Sequence, residues 1–433
     1  MMTDYFLILP NQLFNIKYID KKYYIILWEC PHYFIDYNYN KKKLLLHRSS
    51  MISYYNLLLN KGYKVEYYNF KAHLDNEKSY TLYNPLNNID ILKLPSNITI
   101  IESPNILLTE KLMNEYHNKT DKFFFNAFYM WLKKKLNIIP DIKSQDKFNR
   151  KRQKNYKNIK QPYSKQYNSN YIKESKEYIN INFSDNPGNI DNFIFPITHT
   201  AAKKWLKHFI KYKLKYFGPY QDFINKNDNH MYHSLLSTLI NIGLLNPIDI
   251  IENLQKLSKD KIPLNSYEGF IRQLFWREYQ YYCYKYFTFD SNYFDNKKKL
   301  SNDWYNGTTG ILPVDDAIIE AFNTGYLHHI KRLMVIGNYM NISEINPKEG
   351  FRWFMEFSCD SYEWVMHQNV YEMVFFISGG KTMRRPYISS SNYILKMSNY
   401  SKGKWCDKWN KKYKKFISKN KNKLIKYRYY IRI

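Results

Sequence analysis

Short apolar runs alternate with segments of helical periodicity in the first third of the chain. The runs Tyr5–Leu9, Tyr23–Trp28, Tyr63–Tyr68 and Asn97–Glu102 predict buried strands, and Lys41–Leu59 predicts a helix. Strands that are separated by helices are typical of a parallel sheet. The pattern therefore predicts an α/β domain with a parallel, Rossmann-like sheet over residues 1–135, although no GxGxxG phosphate loop is present.

The pattern changes twice further along the chain. Residues 136–195 are polar, basic and rich in Asn, Lys, Tyr and Ser, which predicts a linker or a long surface loop between two domains. Helical periodicity then predicts a large all-α domain over residues 196–400, with helices at Ala201–Tyr216, His233–Leu245, Ser266–Phe287, Val314–Asn323 and His328–Tyr339. Residues 401–433 form a basic, aromatic tail that we expect to be helical with a frayed end.

The composition indicates a class of binding partner. The 433 residues include 66 Lys and Arg against 38 Asp and Glu, which gives a formal net charge of +28. This much positive charge favours a polyanionic partner, because it raises affinity for phosphate and steers encounter. The over-use of Lys, Asn, Ile, Tyr and Phe is also what an AT-rich coding sequence produces, so some lysines only fill solvated positions.

Hydropathy and cysteine usage exclude other classes. The 44% hydrophobic content excludes a disordered chain, and no apolar run is long enough to span a membrane. The N-terminus carries Asp4 and Pro10 without a basic region, so we expect no secretion signal. The four cysteines show no zinc spacing and imply no disulfides, which fits a reducing intracellular compartment, cytoplasm or nucleus: Cys30, Cys283, Cys359 and Cys406.

Two helical segments carry candidate phosphate and aromatic ligands. His233-Ser-Leu-Leu-Ser237 places hydroxyls at a predicted helix start, where phosphate binds well, although capping explains the serines equally. In Gly269–Tyr279, Arg272 and Trp276 lie one turn apart, as do Gln273 and Arg277. Such a face suits a flat aromatic ligand with a phosphate, but ordinary amphipathic helices also carry one.

Two further segments carry candidate acid–base chemistry. His328 and His329 lie in an apolar helical context three residues before Arg332. Histidine is the commonest proton donor in enzymes, whereas a buried histidine in general is more often structural. Adjacent histidines point to different faces and no further ligand set follows, so we predict no metal site. Asp360 is a candidate partner of Arg332 across two helices, with a structural ion pair as the alternative.

Together these segments resemble the cryptochrome/photolyase family, and within it the prokaryotic branch that carries an iron–sulfur cluster and repairs (6-4) photoproducts. The resemblance covers nearly the whole chain and is most specific in the C-terminal half. It rests on Tyr232–Ser237 with Asn241–Pro247, Phe270–Tyr279, Gly325–Asn338, Tyr362–Val365, Asn369–Met373, Arg385–Tyr387 and Asn392–Ser398. The N-terminal matches are Leu9–Leu13, Trp28-Glu29 and His47–Met51.

The resemblance implies a buried FAD in the helical domain. Ser234 and Ser237 would hold its pyrophosphate, and an Arg332–Asp360 salt bridge would lie beside the isoalloxazine. The full set of implied FAD contacts is His233, Ser234, Leu236, Ser237, Gln273, Trp276, Arg277, Arg332, Asp360, Met366 and Asn369. His329, with His328 beside it, matches the catalytic histidine that acts as general acid on (6-4) lesions. Candidate electron relays are Trp304, Tyr305, Trp353 and Trp364, with core packing as the alternative for each.

The sequence departs from the branch at several positions. Pro313, Ser401 and Lys404 stand where cluster cysteines are expected, so we predict that the iron–sulfur cluster is absent. Met366 replaces a polar side chain near the flavin, and Phe354 replaces an expected tyrosine in the electron path. Whether a ribityl-lumazine antenna is bound stays open, because Pro10-Asn11 replaces the usual Gly-Asp, while Glu29 is a plausible contact.

The sequence therefore predicts a monomeric, FAD-dependent, light-driven lyase that repairs (6-4) photoproducts in UV-damaged DNA. Two alternatives remain. One is a cryptochrome-like flavin photoreceptor without repair activity, which the lost cluster and altered electron path favour. The other is a degenerate DNA-binding remnant, against which the retained Ser, Arg and Asp set argues.

Overall fold

A computed structural model describes residues 4–150, 158–162, 169–257 and 262–431. Its N-terminal part is built on five parallel strands in the order β3-β2-β1-β4-β5. The strands are β1 (Tyr5–Ile8), β2 (Tyr24–Trp28), β3 (Lys64–Tyr68), β4 (Tyr80–Tyr83) and β5 (Ile98–Ile101). The predicted parallel α/β sheet is confirmed, and four of the strands lie within a residue of their expected bounds.

The strand β4 was not predicted. It has only four residues, of which Tyr80 and Leu82 are buried and Thr81 and Tyr83 are half-buried. It nevertheless lies inside the sheet, since it pairs with β1 on one side and β5 on the other. The run Tyr-Thr-Leu-Tyr is as short as an alternating strand pattern can be, so its signal in the sequence is weak.

Among the described residues of the N-terminal part there are four α-helices, and the last of them falls in the predicted linker. These are α1 (Lys41–Asn60), α2 (Glu110–Lys119), α3 (Phe125–Lys135) and α4 (Asn170–Asn182). The helix α4 packs on α1 and buries Ile172 and Ile179, so residues 170–182 belong to the N-terminal core. Residues 151–157 and 163–168 of the predicted linker lie outside the described residues.

The C-terminal half is helical, as the sequence predicted. Its α-helices are α5 (His199–His208), α6 (Leu214–Tyr220), α7 (Leu236–Asn241), α8 (Pro247–Gln255), α9 (Leu264–Tyr286), α10 (Asp303–Asn306), α11 (Leu312–Thr324), α12 (Asn338–Ile342), α13 (Pro347–Phe357), α14 (Glu363–Met366), α15 (Ser391–Met397), α16 (Lys404–Lys419) and α17 (Lys421–Leu424). Three π-helical segments join some of them: Phe209–Lys213, Lys331–Gly337 and His367–Val374.

The predicted helix His233–Leu245 is much shorter in the structure. Leu235 has φ +57° and Gly243 has φ +90°, and such left-handed backbone cannot continue a helix, so only α7 remains between them. His233 and Ser234 therefore lie in the turn that precedes α7. The predicted helix Ala201–Tyr216 is likewise divided, into α5, a π-helical segment and α6.

Two hydrophobic cores organise the molecule. The first joins the sheet to α5–α9, and the second joins α11–α17. The segment expected as a basic tail contributes to the second core, because Trp405, Trp409 and Phe416 on α16 are buried while its lysines stay largely exposed. Within the described ranges, no helix has the length and apolar character needed to cross a membrane.

Candidate functional site

Asp360 is the centre of a hydrogen-bond network between three helical segments. Its carboxylate accepts from the Arg332 guanidinium at 2.9 Å and the Ser237 hydroxyl at 2.6 Å, and also from the Ser358 hydroxyl. The Asn241 side chain donates to the Asp360 carbonyl at 2.9 Å. Burial alone would raise the pKa of Asp360, but Arg332 and the two hydroxyls outweigh it and lower that pKa. Asp360 is thus held as a carboxylate.

A glycine places the histidine-bearing loop against this network. Gly325 ends α11 with φ +66°, and its carbonyl accepts from the Cys359 backbone N–H at 2.9 Å. A Cβ at this position would lie 2.5 Å from the Cys359 sulfur. Only glycine therefore permits both the left-handed turn and the close approach. One turn later, the Arg332 side chain donates to the Leu327 carbonyl at 2.6 Å, which fixes the guanidinium toward Asp360.

Three histidines meet beside this network, and we call His233, His328 and His329 the histidine cluster. The His233 and His328 rings are stacked, with centroids 4.5 Å apart and an interplanar angle of 7°. The His329 ring stands edge-on to His233 at 5.6 Å. His233 and His328 are buried, whereas the His329 side chain is 47% exposed. Burial, followed by neighbouring positive charge, lowers the pKa of His233 and His328 well below the ordinary value.

Two functional candidates in this region had no sequence signal. Asp222 accepts from the His329 Nε2 atom at 3.2 Å and from the Arg150 Nε atom at 3.0 Å. Burial opposes ionisation of Asp222, but the hydrogen bond from His329 and the charge of Arg150 outweigh it and lower the Asp222 pKa. Both residues lie in irregular segments far from His329 in sequence and belong to no motif, so only the fold reveals them.

The predicted contacts on α9 face two different neighbourhoods. Arg277 is buried, donates to the Asn105 carbonyl at 2.9 Å and to the Asn241 side chain at 3.3 Å, and lies 4.8 Å from the Trp364 ring centroid. The Trp276 ring instead stacks on Phe125 of α3, with centroids 3.7 Å apart. Gln273 is half-buried on the same helix. Arg277 is thus joined through Asn241 to the Asp360 network, whereas Trp276 packs against the N-terminal domain.

The other predicted FAD contacts have local structural partners. The Ser234 hydroxyl accepts from the Leu236 backbone N–H at 3.3 Å, and Leu236 itself is buried at the start of α7. Met366 is buried at the end of α14, and the Asn369 side chain donates to the Val365 carbonyl at 2.8 Å. Their roles toward a cofactor stay predictions.

The candidate electron relays are embedded in aromatic packing. The Trp353 indole N–H donates to the Trp304 carbonyl at 2.7 Å, and the Trp304 ring lies 5.9 Å from Tyr339. The Tyr305 hydroxyl donates to Glu356 at 2.7 Å, and Trp364 meets Tyr281 edge-on at 6.1 Å. These contacts are those of well-packed core residues, so the relay roles also stay predictions.

Known families match both halves of the chain. The profile described as "Deoxyribodipyrimidine photo-lyase-related protein" matches residues 6–90 and 79–195, and that of the "FAD binding domain of DNA photolyase" matches residues 270–426. With the fold, these matches define the chain as a photolyase-type protein with an FAD-binding domain. The chain belongs to the cryptochrome/photolyase family.

Individual relatives match parts of the chain. A (6-4) photolyase from Agrobacterium fabrum is 40% identical over 223 residues, which is 50% of this chain and 44% of that protein. An uncharacterized protein of Acanthamoeba polyphaga mimivirus is 54% identical over 91 residues, or 21% of this chain and 74% of that protein. The match thus spans less than half the length of the Agrobacterium relative.

Solved structures share the fold. A bacterial class III photolyase from Agrobacterium tumefaciens superposes with a TM-score of 0.61 at 15% identity, over 96% of this chain and 87% of that one. At this identity the likeness concerns the architecture alone. The architecture of this chain combines a parallel α/β region with a helical region, as the sequence predicted.

The residues present fit a buried FAD. A dinucleotide diphosphate needs donors, and two buried polar atoms adjoining the Asp360 network have no hydrogen-bond partner among the described residues. They are the Thr238 hydroxyl on α7, next to Ser237, and one terminal nitrogen of Arg277. Burial without a partner is costly for such groups, so a ligand that accepts from them would be stabilised.

Proposed function

We propose that the protein is an FAD-dependent, light-driven DNA repair photolyase that acts on (6-4) pyrimidine photoproducts in UV-damaged DNA. The observation that carries this proposal is the half-exposed His329, which Asp222 holds three residues before Arg332, the partner of the buried Asp360. A proton donor thereby adjoins the network assigned to the cofactor. The 40% identical Agrobacterium (6-4) photolyase supports the same lesion class.

His329 is the proton donor in this proposal. The Asp222 carboxylate occupies its Nε2 atom at 3.2 Å and fixes the ring, so Nδ1 is left for the substrate. Its exposure lets it reach an extruded base, whereas His328 is enclosed and shapes the wall. A positioned general acid contributes about 10²–10⁴-fold to a rate.

Substrate access requires base flipping. A base inside a duplex cannot reach a buried site, and extrusion costs a few kcal/mol, least for a damaged base. Phosphate contacts with counterion release offset this cost. Exposed lysines on α16 offer such contacts: Lys404, Lys408, Lys411 and Lys415.

FAD, when bound, supplies the electron for repair under blue light. Ser237, Arg332 and Asp360 orient the cofactor in this proposal, and Arg277 and Thr238 offer free donors to its diphosphate. Burial lowers the pKa of Arg277, although Glu278 opposes the shift, so this guanidinium gains from an additional anionic partner.

We also propose that the protein carries neither an iron–sulfur cluster nor an antenna at Glu29. The supporting observation for the first is that the described residues contain no group of cysteines close enough to share a metal, and Pro313, Ser401 and Lys404 offer no thiolate. For the second, both Glu29 oxygens already accept hydrogen bonds from the protein.

The test is blue-light repair of a (6-4) oligonucleotide by the purified, reduced protein, with its absorption spectrum recorded first. We expect flavin bands, repair, and a loss of about 10²–10⁴-fold in the repair rate for His329→Ala with FAD still bound. The matched control is His73→Ala, since His73 is exposed in the N-terminal domain. Flavin without repair would replace the proposal by the photoreceptor function, and a flavin-free protein would overturn it.

A further inference from the structure

The sequence predicted no metal site at His328 and His329, but the fold adds His233 to them, and we propose that this histidine cluster is also a binding site for a borderline divalent transition metal such as Zn²⁺. One potential ligand nitrogen from each of His233, His328 and His329 lies within 4.8 Å of the others. Zinc–nitrogen distances of about 2.0–2.1 Å place the nitrogens of a tetrahedral site roughly 3.4 Å apart. The His233 and His328 rings are stacked with an interplanar angle of 7°, and an imidazole lone pair lies in its ring plane, so one of these two rings must turn out of the stack before all three can bind one metal.

Unpartnered buried nitrogens give independent support. Nε2 of His233 and both ring nitrogens of His328 have no hydrogen-bond partner in the part of the chain that the structure describes. Burying such atoms unsatisfied is unfavourable, and a metal would satisfy one on each ring.

Asp222 supports the proposed metal site by a hydrogen bond to His329. A carboxylate that accepts from the second ring nitrogen of a ligating histidine fixes the ring and raises its basicity. The contact between Asp222 Oδ1 and His329 Nε2, at 3.2 Å, has this form and leaves Nδ1 for the metal. The exposed side of His329 supplies an entry path and an open position for water.

Three positively charged side chains lie near the histidine cluster and oppose the binding of a cation. Lys213, Lys331 and Arg332 act on the cluster as positive charges. Each is moderated: burial lowers the pKa of Lys213 to about 7, Lys331 bonds Glu320, and Arg332 bonds Asp360. An all-imidazole site suits Zn²⁺, Co²⁺, Ni²⁺ and Cu²⁺, whereas Mg²⁺ requires oxygen ligands.

Metal occupancy would regulate the repair reaction, an inference that rests on the proposed function. Once Nδ1 of His329 ligates a metal, it cannot carry the proton that the lesion requires. We therefore expect micromolar-range additions of Zn²⁺ to inhibit repair while equal concentrations of Mg²⁺ do not.

The experiment is a Co²⁺ titration of the purified protein, read by visible difference spectra and reversed by Zn²⁺. Four-coordinate cobalt absorbs in the visible, so the readout does not depend on repair. We expect a band that His329→Ala and His233→Gln abolish and His73→Ala retains, and that Asp222→Asn weakens by about 10–100-fold in affinity. Variant folding is checked by far-UV circular dichroism.

The outcomes separate the two proposals. A cobalt band lost in both cluster variants supports the metal site whether or not the protein repairs DNA. Absence of a band, or a band unchanged in both cluster variants, overturns the site even if repair is observed. Repair that is insensitive to Zn²⁺ despite cobalt binding would overturn the regulatory role alone.

Discussion

Two buried polar regions of this molecule differ in whether their polar atoms have hydrogen-bond partners. In the N-terminal domain, the fully buried Glu29 accepts from Arg48 at 2.9 Å, Tyr67 at 2.6 Å, Tyr178 at 2.7 Å and the Phe70 backbone N–H at 3.1 Å. We call Glu29, Arg48, Tyr67 and Tyr178 the Glu29 network. In the C-terminal domain, the histidine cluster buries three ring nitrogens with no partner among the described residues.

The difference separates architecture from function. A buried charge whose every oxygen is satisfied holds elements together, here β2, α1, β3 and α4. Unsatisfied buried nitrogens lower the stability of the fold and are expected where a ligand or substrate supplies the missing partner. The comparison therefore predicts that the two regions respond oppositely to removal of a polar group.

The largest expected effect is on the Glu29 network. Replacement of Glu29 by Ala leaves the Arg48 charge, 12% exposed, without its buried partner, and such losses cost about 3–5 kcal/mol. We expect the free energy of unfolding in urea to fall by that amount. The matched control is Glu174→Gln, which removes the more exposed carboxylate bound to Arg48, for which we expect about 1 kcal/mol or less. Equal losses in both variants would contradict the assignment of Glu29 as the structural centre.

A second prediction concerns pH and the cluster. Folded His328 has a lowered pKa and stays neutral, whereas in the unfolded chain it takes up a proton below about pH 6.5. The unfolded state is therefore favoured as pH falls below 6.5, by up to about 1.4 kcal/mol per pH unit for this group. We expect His328→Leu to lose less stability than the wild type between pH 6.5 and 5.

Other groups titrate in the same range, so only the difference between the two proteins is informative. Burial raises the pKa of Glu320 to about 7, although Lys331 opposes this shift. The raised pKa of Glu320 favours the folded state as pH falls, which is opposite to the effect of His328, and it does so in both proteins. Asp222 and Asp360, whose pKa is lowered, lose their contribution only as pH falls below about 3.8. Parallel urea midpoints for the wild type and His328→Leu from pH 6.5 to 5 would contradict the neutral, buried state of His328.

The Glu29 network and the histidine cluster also differ in how far sequence could predict them. The motifs proposed His328, His329, Arg332 and Asp360 as site residues, and the structure pairs Arg332 with Asp360. The partners of Glu29 were not foreseen, since Tyr178 comes from a segment expected to be a linker. Long-range partners such as Asp222 and Arg150 depend on how loops pack, and the hydrophobic periodicity of the sequence does not encode loop packing.

Trp276 shows the same limit on a regular helix. Periodicity placed it correctly on a helix with Gln273 and Arg277, but it could not say which neighbour that side of α9 meets. The ring stacks on Phe125 of α3. Secondary structure follows from local pattern, whereas the opposing surface is decided by tertiary packing, so helix content was predicted well while the cofactor contacts stay predictions.

The smallest expected effect is the most telling for the comparison. At pH 7.5, His328→Leu removes two buried nitrogens that lack partners, which stabilises the fold by about 1–3 kcal/mol. The substitution also loses the ring stacking on His233 and some packing complementarity, which destabilises the fold by a similar amount. We expect the urea-unfolding free energy to change by less than about 1 kcal/mol, while repair falls because the lesion wall has changed. A loss of 3 kcal/mol or more, as expected for Glu29→Ala, would mean that His328 is structural, and the contrast between the two regions would fail.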